Sequence, residues 1–303
     1  MNRLKVGLKS ILWSGLALVL LVSVALPGIN LLAVPVVMVP FVLLYTSLTR
    51  QQFALHTLMV LLVAFFIHGP VSLIFGFFFL VPALIMGHLY RRRAAARTVV
   101  TAGVLAVLGQ FLLEMVLFNA LLSISITGEM GNIIREQLAM LHAQGLLPPS
   151  WTTEVTEAFV RSVIQSIPWV LIAASFMIVI ITHGLTRKLL SREGIEVPGF
   201  KPAKDWMLPK AFVLYYLIAL IADLFVDSTV DSFMNTVLVN LIPLLRLVFT
   251  IQAIGLFFYI ADQKRWSKAV PVLLAIPLFL FPPLSLIGVL DVAFPIRKSF
   301  TKS

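Results

Sequence analysis

The sequence predicts an all-α protein, a polytopic bundle of transmembrane helices, and three observations support that prediction. Of its 303 residues, 60% are hydrophobic and only 12% are charged, whereas about 25% are charged in a soluble domain. The apolar residues come in runs of roughly 18 to 25, and about 20 helical residues cross a bilayer. These runs lack the alternation of polar and apolar residues that membrane β-barrel strands show. We therefore expect a single membrane domain over residues 1–303.

Four apolar runs come before the most strongly basic segment, and each is predicted to be a spanning helix. They cover residues 11–28, 31–48, 53–67 and 71–90. The first exceeds the about 7 to 15 apolar residues of a signal peptide, so we expect it to remain as a helix. The second contains Pro35 and Pro40, which remove backbone donors, and is expected to be kinked.

A dense group of arginines follows the fourth run and predicts the orientation of the protein. The group consists of Arg91, Arg92, Arg93 and Arg97. Because cytoplasmic loops carry an excess of Lys and Arg, we expect this loop and the N-terminus to be cytoplasmic in a bacterial inner membrane. The same arginines are candidate contacts for anionic lipid headgroups. Orientation also explains the net charge of +10, so a nucleic-acid partner is not expected.

Residues 127–166, after the fifth run at 98–122, have a different pattern. Apolar residues recur there at helical spacing in two series, which Gly145 and two prolines separate. This pattern predicts two amphipathic helices. Four Glu residues outnumber Arg135 and Arg161, so we expect this insertion on the outer face of the membrane.

Three further runs complete eight predicted full spans, at residues 168–185, 211–226 and 235–261. Between the first two lies a basic loop, residues 187–210, which is predicted to be cytoplasmic. The acidic link DSTVDSF joins the second to the third and is expected on the outer face.

The last apolar segment, residues 269–292, allows two topologies. It is long enough for a ninth span, but prolines interrupt it, including Pro282 and Pro283. A crossing would leave Arg297 and Lys298 on the outer side. Two half-helices joined near Pro282 would instead return the chain to the cytoplasmic side, with irregular backbone hidden in protein. The sequence leaves both alternatives open.

Arg246, near the middle of the run at 235–261, has the most informative position in the chain. A cation at that depth costs a few kcal/mol, so it is expected to face protein or water and to have a partner. Counting about 1.5 Å per residue from the predicted cytoplasmic ends places Glu114, Asp223 and Arg246 all about 20 to 24 Å deep. With the neighbouring polar residues, the predicted layer consists of Arg246, Glu114, Asp223, Gln110, Asn240 and Thr250.

This layer has two interpretations, which lead to two functional hypotheses. In one, the charged groups form a structural ion-pair network between helices. The protein would then be a membrane scaffold or a regulatory partner of another membrane protein. In the other, they line a solute or ion site. The protein would then be solute-binding or transport-associated, with a small-molecule ligand that the sequence does not identify.

An enzymatic function is not expected. The sequence contains no G-x-S-x-G nucleophile motif and no P-loop, so neither a hydrolase nor an NTPase is indicated. The five His residues are scattered and the chain has no Cys, so no metal site is expected. We predict no catalytic residues and no cofactor.

Several segments resemble the YybS-like family of bacterial membrane proteins. These are the proline-bearing second run, the basic loop after the fourth, KPAKDWMLPK at 201–210, QAIGLFFYIADQKRW at 252–266 and PPLSLIGVLDVAFPIRKS at 282–299. The family is distantly similar to the S subunits of energy-coupling-factor transporters, which implies a helical bundle with a ligand pocket open to the outside and a lateral membrane partner. The resemblance implies no site residues; Asp291 and Arg297 lie six apart within it. The outer helix pair and the spans beyond six depart from a plain S subunit.

Overall fold

The structure, a computed structural model, describes residues 2–226 and 232–300, and every regular element in those ranges is helical. The α-helices are α1 (Asn2–Val24), α2 (Asn30–Ala33), α3 (Met38–Ser47), α4 (Arg50–His68), α5 (Pro70–Arg91), α6 (Ala96–Leu122), α7 (Ile126–Ala143), α8 (Thr153–Gln165), α9 (Ile167–Arg192), α10 (Ala211–Asp223), α11 (Phe233–Gln263), α12 (Ala269–Leu280), α13 (Leu286–Ala293) and α14 (Ile296–Phe300). Short 3-10 turns cover Ala203–Asp205 and Pro282–Ser285. The all-α prediction is confirmed.

Seven helical segments of the described chain are long and apolar enough to cross a membrane. They are Gly7–Val24, Asn30–Ser47, Arg50–His68, Pro70–Arg91, Ala96–Leu121, Ile167–Arg192 and Phe233–Gln263. The remaining predicted span, the seventh at 211–226, corresponds to α10, which has 13 residues and is about 20 Å long. That length is shorter than the hydrocarbon core, about 30 Å. Most of the acidic link that follows, residues 227–231, lies outside the described residues.

The predicted kink in the second span is a break between two helices. α2 ends at Ala33 and α3 begins at Met38, with Pro35 in the turn between them. Pro40 lies in the first turn of α3, where a missing backbone N–H costs little.

The helices group into two compact units. Unit 1 falls within Met1–Ile126 and Leu171–Phe200, and unit 2 within Thr127–Val170 and Lys201–Ser303. The expectation of a single membrane domain stays a prediction.

The core of unit 1 is built around α3. Residues 37–44 are all buried, and α3 packs against α1 and α5. Small residues allow close helix packing: a Cβ at Gly103 of α6 would lie 2.9 Å from Val179 of α9 and 3.1 Å from Met86 of α5. Close backbone approach at small residues is the usual way that membrane helices associate.

Unit 2 is built around α11, the longest helix. Against it pack α10, α12, α13 and the 3-10 turn Ala203–Asp205. Gly288 of α13 lies directly on the backbone of α11, and a Cβ there would collide with the carbonyl of Phe249. The ring of Phe249 also lies 5.4 Å from the ring of Tyr216 in α10.

The proline-rich C-terminal segment forms two half-helices. α12 and α13 are separated by the 3-10 turn Pro282–Ser285, and both pack on α11. After α13, Arg297 accepts a hydrogen bond at its carbonyl from Tyr259, close to the end of α11. The chain therefore leaves the C-terminal end of α11 in α12 and comes back to that end after α13. The structure therefore contains the two half-helices, whereas the number of spans and the side on which the chain ends stay predictions.

Residues 127–166 contain the two helices predicted there, α7 and α8. Thr152 caps α8 by accepting a hydrogen bond from the backbone N–H of Val155 at 3.3 Å. The guanidinium of Arg135 in α7 donates to both carboxylate oxygens of Glu157 in α8, at 2.8 and 3.1 Å. This hydrogen bond holds the pKa of Glu157 below its ordinary value. The side of the membrane on which the pair lies stays a prediction.

The basic segment predicted as a loop over residues 187–210 begins as helix. α9 continues to Arg192 because apolar residues keep helical spacing as far as Leu190, whose side chain is completely buried. The irregular part therefore starts after Arg192, and its cytoplasmic location stays a prediction.

Candidate functional site

Arg246 lies on α11 and has a neutral hydrogen-bond partner. Its Nε donates to the hydroxyl of Tyr216 at 3.2 Å. Tyr216 is 5% exposed and lies on α10, so the hydroxyl is held in place. Arg246 as a whole residue is exposed. Its two terminal nitrogens have no hydrogen-bond partner among the described residues of unit 2.

The ion pairs within the described part of unit 2 join other residues. They are Arg135–Glu157, Lys204–Asp262 and Arg297–Asp291. Asp223, the second predicted partner of Arg246, is the last residue of α10 and has an exposed side chain. The structure therefore brings Arg246 together with a tyrosine of α10 rather than with the aspartate of that helix.

Two further residues of the predicted layer form hydrogen bonds with backbone groups. Thr250 donates to the carbonyl of Arg246 at 2.9 Å, within α11. The amide of Asn240 donates to the carbonyl of Gln165 at 2.8 Å and accepts from the backbone N–H of Trp169 at 2.9 Å. Asn240 therefore fastens α11 to the turn between α8 and α9.

The remaining members of the layer, Gln110 and Glu114, lie one turn apart on α6 in unit 1. Both side chains are half-buried. Because Arg246 belongs to unit 2, the predicted layer is divided between the units, and its assembly stays a prediction.

The strongest polar cluster of unit 2 surrounds Asp291, which the sequence did not place in a site. The side chain of Asp291 is completely buried. Its carboxylate accepts hydrogen bonds from Arg297 Nε at 3.0 Å, from Arg297 Nη2 at 2.8 Å and from Gln252 Nε2 at 2.5 Å. A buried carboxylate is stabilised only when it is paired and hydrogen-bonded in this way.

Arg297 extends this cluster to the segment before α10. Nη1 donates to the carbonyl of Lys204 at 2.7 Å, and Nη2 to the carbonyl of Trp206 at 2.8 Å. The guanidinium also lies 5.1 Å from the ring centre of Tyr259. The cluster thus joins the segments 201–210, 252–266 and 282–299, the three C-terminal stretches that resemble the YybS-like family. We call it the Asp291 clamp.

A signal for the clamp was present in the sequence. Asp291 interrupts an apolar segment, just as Arg246 does, and ionisable residues inside such segments are rarely without a partner. Arg297 lies six residues further along, beyond the end of α13. The separation does not match helical spacing, so a periodicity argument does not link the two residues.

The four arginines after α5 have different surroundings. Arg91 donates to the carbonyls of Tyr45 and Leu48 and lies 4.4 Å over the ring of Tyr45. Arg93 lines a cavity, whereas the side chains of Arg92 and Arg97 are exposed. Lipid binding by the group stays a prediction, and Arg91 has a structural contact that the sequence did not indicate.

Comparison with known proteins finds a family model and a relative that match most of the chain. A family model described as "Predicted membrane protein (DUF2232)" matches residues 16–292. The chain is also 22% identical over 299 residues to the "Uncharacterized protein YybS" of Bacillus subtilis (strain 168), which covers 95% of this chain and 96% of that protein. No solved structure matches the chain.

Proposed function

The chain belongs to the DUF2232 family of predicted membrane proteins, and we propose that it binds a small anionic solute through Arg246 as part of a transport process. The observation that supports this proposal is that the two terminal nitrogens of Arg246 have no hydrogen-bond partner among the described residues of unit 2. We further propose that the protein lies in the bacterial inner membrane with its N-terminus in the cytoplasm, because the arginines around Arg93 favour that orientation.

The geometry of Arg246 suits an anion. A guanidinium presents five donors in a planar fork that fits carboxylate and phosphate groups. Tyr216 engages the Nε edge of this fork and fixes the direction in which it points. The two terminal nitrogens lie side by side on the opposite edge and suit a bidentate acceptor. Because an unpaired cation in a spanning helix is unfavourable, an anionic ligand would be bound strongly there.

The same terminal nitrogens of Arg246 also support a second candidate function. A carboxylate on a helix of another membrane protein would fit the fork equally well. In that case the protein is a scaffold or a regulatory partner without transport activity. Similarity to S subunits of energy-coupling-factor transporters would imply both a ligand and a lateral partner.

The test measures thermal unfolding of the purified protein in phosphatidylcholine nanodiscs with a panel of small carboxylates and phosphate esters. We expect at least one compound to raise the Tm saturably, since a ligand at a hundred times its Kd stabilises by about 2.7 kcal/mol. Arg246→Gln should abolish that shift. Arg246→Lys keeps the charge but not the fork and should weaken it.

Arg50→Gln is the matched control, because Arg50 lies in the first turn of α4, and it should keep the full shift. An absence of any shift, together with a membrane protein that co-purifies with the wild type and not with Arg246→Gln, would reject solute binding in favour of the scaffold.

A further inference from the structure

We propose that a cavity in unit 1 is a binding site for a phosphate group, held by Arg93, Arg187 and Lys188. The cavity lies where α9 ends, on the side predicted to be cytoplasmic. Its lining does not include Arg246, which belongs to unit 2, and the proposal does not depend on solute binding there.

The cavity has the size of a ligand site. Its volume is about 770 Å³, within the range of about 300 to 1,000 Å³ that small-molecule sites occupy. One wall is the last part of α9, from Gly184 to Ser191, and another is the segment 196–199. Arg93, two residues beyond α5, closes it on a further side.

The second wall is built by a reversal of the chain. Gly194 has a φ of 78°, a left-handed conformation that glycine adopts without strain. The chain then turns back, so that Arg187 Nε donates to the carbonyl of Val197 at 3.1 Å. Val197 is 6% exposed and anchors the segment in the core of unit 1. The wall is therefore fixed rather than a free loop.

Close packing at Gly199 holds the guanidinium of Arg187 at the cavity. A Cβ at Gly199 would lie 2.5 Å from Arg187 Cζ, so a larger residue there would require the guanidinium to shift. With Nε bonded to Val197, the position of the fork is set from both sides.

Arg93 reaches the cavity through an uncommon backbone conformation. Its φ is 52°, in the left-handed region that few residues other than glycine occupy. The N–H of Arg93 donates to the carbonyl of Tyr90 at 2.9 Å, which continues the turn after α5. Such conformations cost of order 1 kcal/mol or more and occur often at functional sites.

The charges that line the cavity are unbalanced. Three cations face it, and Glu196 is its acidic residue. Within the described residues of unit 1, the ion pair is Lys9–Glu193, which involves none of the three. The negative end of the α9 dipole does not explain this group of cations. Stabilisation of a cation by a helix dipole is confined to the last turn, whereas Arg187 lies five residues before the end of the helix.

A phosphate group matches these donors. It offers several oxygens to a guanidinium fork and to ammonium groups, and charge-assisted hydrogen bonds of this kind are about twice as strong as neutral ones. At the membrane surface such a group has two sources, the headgroup of an anionic lipid or a soluble phosphate ester. Both have the chemistry that the cavity recognises.

Two probes distinguish these sources with the full-length protein. Glycerol 3-phosphate is titrated by calorimetry into protein held in phosphatidylcholine nanodiscs. Phosphatidic acid is added to the nanodisc lipid, and its retention on the protein is measured by native mass spectrometry. We expect at least one probe to bind saturably. The double variant Arg93→Gln/Lys188→Gln should weaken that binding at least about tenfold, since each lost bond involves a charged group.

Arg192→Gln is the matched control, because Arg192 is the last residue of α9 and does not line the cavity, and it should keep the wild-type affinity. Arg187→Lys retains the positive charge, so it should lose less affinity for the probe than Arg187→Gln, which removes the charge. The double variant should unfold at the wild-type temperature without a probe, because the two side chains are exposed.

The outcomes are distinct. Binding of glycerol 3-phosphate supports a soluble ligand, and binding of phosphatidic acid alone supports a lipid. If neither probe binds, or if Arg192→Gln loses as much affinity as the double variant, the cavity is not a phosphate site.

Discussion

At the scale of single residues, the position of a charge in the sequence predicts its depth in the membrane but not which side chain it contacts. Counting along helices put Glu114, Asp223 and Arg246 at one level, yet Arg246 bonds to the hydroxyl of Tyr216. Depth depends only on the number of residues, whereas contact also depends on which helices are neighbours and how each is rotated. Tyr216 was overlooked because a neutral side chain is not an evident partner for a cation.

The first prediction concerns the charge of Asp291. Asp291→Asn should destabilise the protein by about 3 to 5 kcal/mol, because it leaves the guanidinium of Arg297 without its buried counter-charge. The side chain of Arg297 is 14% exposed, so water replaces little of the lost interaction. The measurement is thermal or denaturant-induced unfolding in detergent micelles.

A second charge pair in the same unit provides the control. Lys204 and Asp262 lie 2.9 Å apart with side chains 39% and 47% exposed, and their hydrogen bond raises the pKa of Lys204. Exposed pairs contribute little to stability, so Asp262→Asn should have a much smaller effect. Equal losses of stability in Asp291→Asn and Asp262→Asn would contradict a larger contribution from the buried pair.

At the scale of elements, apolar run length was a reliable guide where a run was uninterrupted. Seven of the eight predicted full spans correspond to helical segments of spanning length, one of which is divided between α2 and α3. α10 is shorter than its apolar run: the helix ends at Asp223, whereas the run continues through Leu224 and Phe225. Composition alone does not show where a helix ends. The break at Pro282 was indicated by proline content, but the return of the chain needed contacts between distant residues.

The second prediction concerns the packing of α13 on α11. Gly288→Ala should destabilise unit 2 by about 1 to 3 kcal/mol, because its methyl group would collide with the rigid backbone carbonyl of Phe249. Unfolding in detergent provides the measurement. Gly109→Ala is the control, because nothing lies within 4 Å of a Cβ at that position of α6. It should be neutral or slightly stabilising, since alanine favours helix over glycine. A stable Gly288→Ala variant would contradict the close approach.

At the scale of the whole molecule, membrane topology is what the sequence predicted with the least structural support. The charge distribution predicts on which side of the membrane each loop lies. The structure adds that residues after α13 contact the end of α11 through Tyr259. These are separate arguments, and an experiment on whole cells tests both.

The third prediction follows from the absence of cysteine in the chain, which allows single cysteines to be labelled without background. Ser267→Cys and Ser299→Cys lie before α12 and within α14, and we expect both to react with an impermeant maleimide only after the inner membrane is made permeable. Gln144→Cys, between α7 and α8, should react in intact spheroplasts, since the helix pair is predicted to be outside. Labelling of Ser299→Cys and Ser267→Cys from opposite sides would contradict the half-helix hairpin.

The Asp291 clamp has a consequence for biosynthesis. Ribosomes synthesise the chain from its N-terminus, so Gln252 and the carbonyls of Lys204 and Trp206 emerge before Asp291 and Arg297 that bind them. The segment 201–210 and α11 are therefore complete before Asp291 and Arg297 can join them, and unit 2 reaches its final packing only after residue 297 has left the ribosome.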